Sequence, residues 1–160
     1  MKGMTVIVKT VTRWVKAFIF LYGIYIIITG HITPGGGFPG GVILACSYIL
    51  LTLAYGKEFV DTMLKPVTAS RWDSTGALLF LVVALLGLGF GGIFFANILH
   101  ARYPDLSLSL FSAGFIPISN IAIGIKVGFS IFSVFVILSI LRIVINKKGL
   151  FTMLQEEEEE

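Results

Sequence analysis

Four long apolar runs, separated by short polar or glycine-rich breaks, set the pattern of this chain. They cover residues 14–32, 38–55, 75–99 and 118–145. A helix that crosses a bilayer needs roughly 20 mostly apolar residues, and each run meets or nearly meets that length. The first holds one charge, Lys16, close to its end. The second is shorter and opens on glycines, and the third carries no charge at all. The fourth follows Pro117, a favourable residue in a first helical turn, and contains Lys126 and Arg142. The first run is too long for the apolar region of a signal peptide, and no small-x-small cleavage site follows it, so a helix is expected. Residues 106–110 alternate leucine and serine, which suits an extended or interfacial segment. The expected fold is all-α: a polytopic membrane protein of four transmembrane helices in one domain over 1–155. No linker or internal repeat interrupts it, and a solvated acidic tail follows at 156–160.

Composition agrees with the pattern. Hydrophobic residues make up 56% and charged residues 13% of the chain, about half the ~25% charge of ordinary soluble domains. The mean hydropathy is +0.95. So few charges would leave large apolar patches open to water, which excludes a soluble enzyme. Five of the nine acids lie in the terminal run 156–160, so twelve bases face only four acids in the rest of the chain. These bases flank the apolar runs instead of forming one patch, which argues against nucleic acid as a partner. Lys2, Lys9, Arg13 and Lys16 precede or open the first run, Lys57, Lys65 and Arg71 lie between the second and third, and Arg142, Lys147 and Lys148 end the fourth. With four spans all ten share one side, and only Arg102 falls on the other. The positive-inside rule then places both termini in the cytoplasm. A single cysteine, Cys46, excludes an internal disulfide or a paired-cysteine metal motif.

Chemistry at depth is sparse. Glu58, Asp61, Asp73 and Asp105 fall outside the four runs or at their ends, so no carboxylate is expected inside the bilayer. A carrier coupled to protons or sodium usually needs one there. No set of His, Cys and acidic residues suggests a metal, and no nucleophile motif is present, so neither cofactor nor catalysis is expected.

The strongest local signal is Gly30-His31-Ile32-Thr33-Pro34-Gly35-Gly36-Gly37-Phe38-Pro39-Gly40-Gly41, with six glycines and two prolines in twelve residues. Such a segment makes a sharp reversal whose glycines allow another helix to approach closely. No Gly-Lys-Ser/Thr follows, so it is not a phosphate loop. His31 reads as a hydrogen-bonded interface histidine, with proton transfer as the alternative. The motif resembles the signature of the MnhB/MrpB family, the B subunits of Mrp-type multisubunit sodium/proton antiporters, at Gly30, His31, Thr33, Pro34, Gly35, Gly36, Gly37, Phe38, Gly40 and Gly41. The resemblance implies a non-catalytic accessory subunit in the cell membrane, bundled with other membrane subunits of an antiporter-like module. In respiratory relatives that module is joined to a membrane-bound hydrogenase or sulfane sulfur reductase. The alternatives are a subunit of a stand-alone antiporter and a purely structural scaffold.

The resemblance has one departure. Stand-alone antiporter B subunits carry an acid before a glycine early in the last helix. Here Ala122 stands near that place, before Gly124, and Lys126 follows. This suggests the version found in archaeal hydrogenase-type complexes, and the few amides (Asn97, Asn120, Asn146 and Gln155) fit a thermophile. At 100° per residue Ser119, Lys126, Ser130 and Ser133 fall within about 40° of one line, with Gly124 and Gly128 opposite. Two explanations of the lysine stay open. Its arm snorkels to the outer interface, or it lines a hydrated ion path and pairs with a carboxylate from a partner. Gly87, Gly89, Gly91, Gly92, Gly124 and Gly128 are expected to admit neighbouring backbones.

Overall fold

The computed structural model describes residues 4–56, 65–95, 113–145 and 151–155. Among the described residues there are four helices: α1 (Val6–Thr29), α2 (Gly37–Tyr55), α3 (Pro66–Gly91) and α4 (Ile116–Ile140). All four are long and apolar enough to cross a membrane. After α4, strand β1 (Leu141–Ile145) pairs antiparallel with β2 (Phe151–Gln155), Ile143 lying opposite Met153.

Helix ends differ from the apolar runs, for physical reasons. α1 begins at Val6, eight residues before the first run, because Lys9 and Arg13 are good helix formers and sit in the helix without being apolar. α3 begins at Pro66, nine residues before the third run. Proline at the start of that helix gives up no hydrogen bond, since the first N–H groups have no intrahelical acceptor. It ends where Gly92 turns left-handed (φ 69°) and its N–H bonds to the Leu88 carbonyl. The fourth run was expected to be helical to 145, but the helix stops at Ile140. The following residues Leu-Arg-Ile-Val-Ile, rich in β-branched side chains, form β1 instead. The expected extended stretch at 106–110, the end of the third run beyond residue 95 and the acidic tail lie outside the described residues.

The helices pack in the order α1, α2, α4, α3, with a smaller contact between α1 and α4. α1 and α2 are antiparallel: Gly23 lies against Ile43 and Leu44, Gly40 against Ile27, and Lys9 reaches Tyr55. α2 and α4 run parallel, Gly37 beside Asn120 and Gly41 beside Gly124 and Val127, with Tyr48 edge-on to Phe132. α3 returns antiparallel to α4. In lipid no hydrophobic force drives helix against helix, so close van der Waals packing has to hold the bundle, and small residues permit it. Buried Ala45, Ala54, Ala69, Ala84 and Ala122 serve that purpose along with the glycines. Leu51 of α2, Ala69 of α3 and Phe132 and Val136 of α4 form the buried cluster that joins three helices.

Candidate functional site

Lys126 and Asp73 are the site's charges. The Lys126 ammonium donates to Asp73 Oδ1 at 2.8 Å, tying α4 to α3. Asp73 was expected outside the spans or at their ends, but it lies within a helix long and apolar enough to cross a membrane. It supplies within the chain a carboxylate that one of the two explanations of Lys126 sought from a partner. Asp73 lies two residues before the third apolar run, outside the expected span. The helix extends upstream through it, so it occupies a helical face in place of a water-exposed loop.

The depth follows from helix packing. A side chain at Gly41 would strike the Gly124 carbonyl and Val127, and the Gly128 position faces the Gly41 carbonyl and Leu44. Residues 124–128 of α4 therefore lie beside residues 41–44 of α2. At 1.5 Å per residue Lys126 is roughly 8 Å in from the Gly37 end of a helix about 28 Å long. The pair is well inside the apolar zone that α2 defines.

Gly76 makes the pairing possible. A Cβ there would come within 2.7 Å of the Lys126 amide nitrogen, 2.9 Å of the Ala122 carbonyl oxygen and 3.0 Å of Lys126 Cα. All three are backbone atoms, so α3 and α4 touch main chain to main chain at this level. Asp73 is three residues before Gly76, hence on the same face of α3. One residue earlier, Trp72 stacks on Phe129 with ring centroids 6.0 Å apart. The pair stays open on the outside of the bundle: the Lys126 side chain is 46% and the Asp73 side chain 30% exposed.

The serines expected beside Lys126 have a more local role where a bond is seen: Ser133 Oγ donates to the Phe129 carbonyl of its own helix. Ser119 and Ser130 are half-buried on α4. Gly124 and Gly128 lie on the far side of α4 as expected, but they pack within the chain. A side chain at Gly124 would meet Ile27 of α1, and Gly128 faces α2. Gly89, by contrast, has nothing within 4 Å of its Cβ position.

The glycine-rich segment forms the turn between α1 and α2. Thr33 Oγ1 donates to the Thr29 carbonyl at the end of α1, and His31 is half-buried in the turn. Gly36 has φ 138°, a conformation that side-chain-bearing residues rarely adopt, and starts α2. The segment is anchored by α4: the Gly37 amide donates to Asn120 Oδ1 at 3.3 Å, and a side chain at Gly37 would collide with the Asn120 carbonyl and Ile123. The Asn120 Nδ2 group is buried without a hydrogen-bond partner among the described residues.

Sequence reasoning missed Asp73, Gly76 and Asn120 as site residues. Pro66 was the available signal for the first two, since a helix opening there carries both on one turn. Among the described residues no cluster of His, Cys, Asp and Glu forms a metal site.

Comparison with known proteins places the chain in a family. Residues 7–141 match the family model described as a domain related to the MnhB subunit of the Na+/H+ antiporter. An uncharacterised protein of Methanocaldococcus jannaschii is 31% identical over 151 residues, which is 89% of this chain and 55% of that protein. A Staphylococcus aureus protein named as putative antiporter subunit mnhB2 is 35% identical over 97 residues, 61% of this chain and 68% of its own. Among solved structures, a chain of the membrane-bound sulfane sulfur reductase, an archaeal respiratory membrane complex, matches with a TM-score of 0.66 and 32% identity, covering 82% of this chain and 56% of that one. The chain thus spans little more than half the length of two of these relatives. Its four spans and these relatives make it a multi-pass membrane protein, and it belongs to the family of domains related to the MnhB antiporter subunit.

Proposed function

We propose that the chain is a non-catalytic membrane subunit of a sodium/proton-translocating, antiporter-like module in a respiratory complex of the hydrogenase or sulfane sulfur reductase type. The observation that carries this reading is the open Lys126–Asp73 pair. A single charged side chain at a helix centre costs at least ~2.5–3.5 kcal/mol by insertion scales. Pairing offsets part of that cost, but 46% and 30% of these two side chains face outward. In hydrocarbon the outward portions would lie against acyl chains. A hydrated path, or the polar face of a neighbouring subunit, removes that penalty. The pair then forms one wall of an ion path shared with a neighbour, and an arriving cation competes with Lys126 for the Asp73 carboxylate. Both termini lie in the cytoplasm in this reading, as the distribution of Lys and Arg indicates.

The test is ion translocation by the assembled complex in sealed vesicles. Lys126→Met should abolish most translocation while leaving the subunit in the complex, and Lys126→Arg should keep part of it. Asp73→Asn should do the same damage as Lys126→Met. Unchanged pumping in assembled Lys126→Met complex would reduce the pair to a structural clamp.

A stand-alone sodium/proton antiporter is the second reading, favoured by the Staphylococcus aureus relative's description as a putative antiporter subunit. The subunits that purify with the chain from its native membrane separate the two. Redox subunits support the respiratory complex, and their consistent absence supports the antiporter.

A further inference from the structure

The end of the bundle where α1 begins and α2 ends holds a second feature, unrelated to the Lys126–Asp73 pair. A cleft of about 730 Å³ opens along α1 and α2, lined by Arg13, Lys16, Phe20, Leu21, Leu51 and Tyr55. A neighbouring cleft of about 400 Å³ shares Arg13 and Tyr55 and adds Thr10 and Trp14. The larger volume lies within the range of small-molecule sites.

Its lining is graded. Arg13 is exposed at the rim. The Lys16 ammonium is held inward, 5.1 Å from the Tyr48 ring centroid and 5.8 Å from that of Phe20. Lys9 lies 5.6 Å over the Tyr55 ring, and the Tyr55 hydroxyl donates to the Lys9 carbonyl. Deeper in, the lining is apolar, and Phe20 also borders a third pocket of about 170 Å³ formed with Leu44, Tyr48, Gly128 and Phe132. Among the described residues Asp73 is the sole carboxylate, and it sits on α3 against the far side of α4. Three cations therefore share this end of α1 with no acid on α1 or α2.

We propose that this cleft binds one anionic phospholipid, its phosphate between Arg13 and Lys16 and the start of an acyl chain over Phe20, Leu21 and Leu51. Charge complementarity selects an anion at the rim, and basic pockets between helices at the cytoplasmic face are suited to lipid head groups. The apolar floor selects a ligand with a hydrocarbon tail over a free phosphate. Exposed Trp14 beside the rim, 68% accessible, is placed at the level where aromatic side chains meet head groups.

The experiment uses membranes carrying the assembled complex, doped with phosphatidylglycerol that bears a photoactivatable group at the top of one chain. Cross-links should map to residues 14–21 of α1 and to Leu51. Unlabelled phosphatidylglycerol should compete, while phosphatidylcholine and water-soluble glycerol phosphate should not. Arg13→Gln with Lys16→Gln should weaken capture roughly 10- to 30-fold, the scale expected for two basic residues at an anionic surface. Arg13→Lys with Lys16→Arg should restore it, which separates charge from damage to the fold. Equal capture of a phosphatidylcholine probe would overturn the proposal in favour of ordinary boundary lipid. Cross-links between Trp14 and another subunit, with no lipid captured, would overturn it in favour of a protein partner. Competition by glycerol phosphate would reassign the cleft to a soluble anion.

Discussion

Gly76 is the position on which the Lys126–Asp73 pair depends. The atoms a Cβ would meet there are backbone atoms of Lys126 and Ala122, which cannot rotate away as a side chain can. Gly76→Val should therefore push α3 off α4, lengthen the ion pair and lower the amount of intact subunit in the membrane. Gly89 makes the contrast within the same helix, since its Cβ position is open. Gly89→Ala should leave the isolated chain's fold unchanged. Gly89→Leu measures something else: loss of assembly on native gels with the chain still folded would mark that face as a contact with another subunit. If Gly76→Val and Gly89→Ala behaved alike, the close approach of α3 and α4 would not matter. Gly89 was expected to admit a neighbouring backbone and Gly76 was passed over, because hydropathy does not show which glycine faces a backbone and which faces open space. Lys126 was legible because a charge in such a run is costly and therefore conspicuous. Asp73 was not, because it precedes the run and carries no such mark.

At the scale of elements, the four apolar runs correspond to the four helices among the described residues, while their ends depended on physics that hydropathy does not measure. A helix continues past the apolar zone where its residues favour it, as Lys9 and Arg13 do in α1 and Ala69 and Arg71 do in α3. The pairing of helices was not legible either, since it is decided by which glycine faces which backbone. Gly124 and Gly128 were expected to admit neighbouring backbones, and the neighbours they meet are α1 and α2 of the same chain. The glycine turn follows the same logic. Gly37 packs against the Asn120 carbonyl and donates to Asn120 Oδ1, so shape and this hydrogen bond dock the turn on α4. Gly37→Val should sharply reduce assembled protein, because both backbones would have to separate. Asn120→Ala removes the acceptor together with the unpartnered buried Nδ2 group, so it should cost no more than about 1 kcal/mol, the net worth of such a bond, read as a lowered midpoint in thermal unfolding in detergent. His31→Gln should leave assembly intact. A His31→Gln complex that assembles fully but moves no ions would make His31 a proton relay in place of a structural residue.

The arrangement of the whole molecule assigns its two ends different chemistry. Lys9, Arg13 and Lys16 gather where α1 starts and α2 finishes, and the uncharged glycine turn closes the opposite end. Lysine and arginine close to a span resist translocation during insertion, so the basic end should stay in the cytoplasm. Because α1 and α2 are antiparallel and α4 runs parallel to α2, the end of α4 near Arg142 should point the same way as the start of α1. This gives a concrete test with single cysteines in a Cys46→Ser background, read with a membrane-impermeant maleimide on intact cells. Lys2→Cys, Lys65→Cys and Lys148→Cys should react only after the membrane is permeabilised. Thr33→Cys, in the glycine turn, should react from outside. Each site has its own permeabilised control, so burial against another subunit is not mistaken for cytoplasmic location. Labelling of Lys2→Cys from outside would invert the bundle and place the Arg13–Lys16 cleft in the outer leaflet. Labelling of Lys148→Cys from outside with Lys2→Cys protected would instead require an odd number of spans. That outcome contradicts the parallel packing of α2 and α4, because the two helices share Gly41, Gly124 and Gly128 along one common direction.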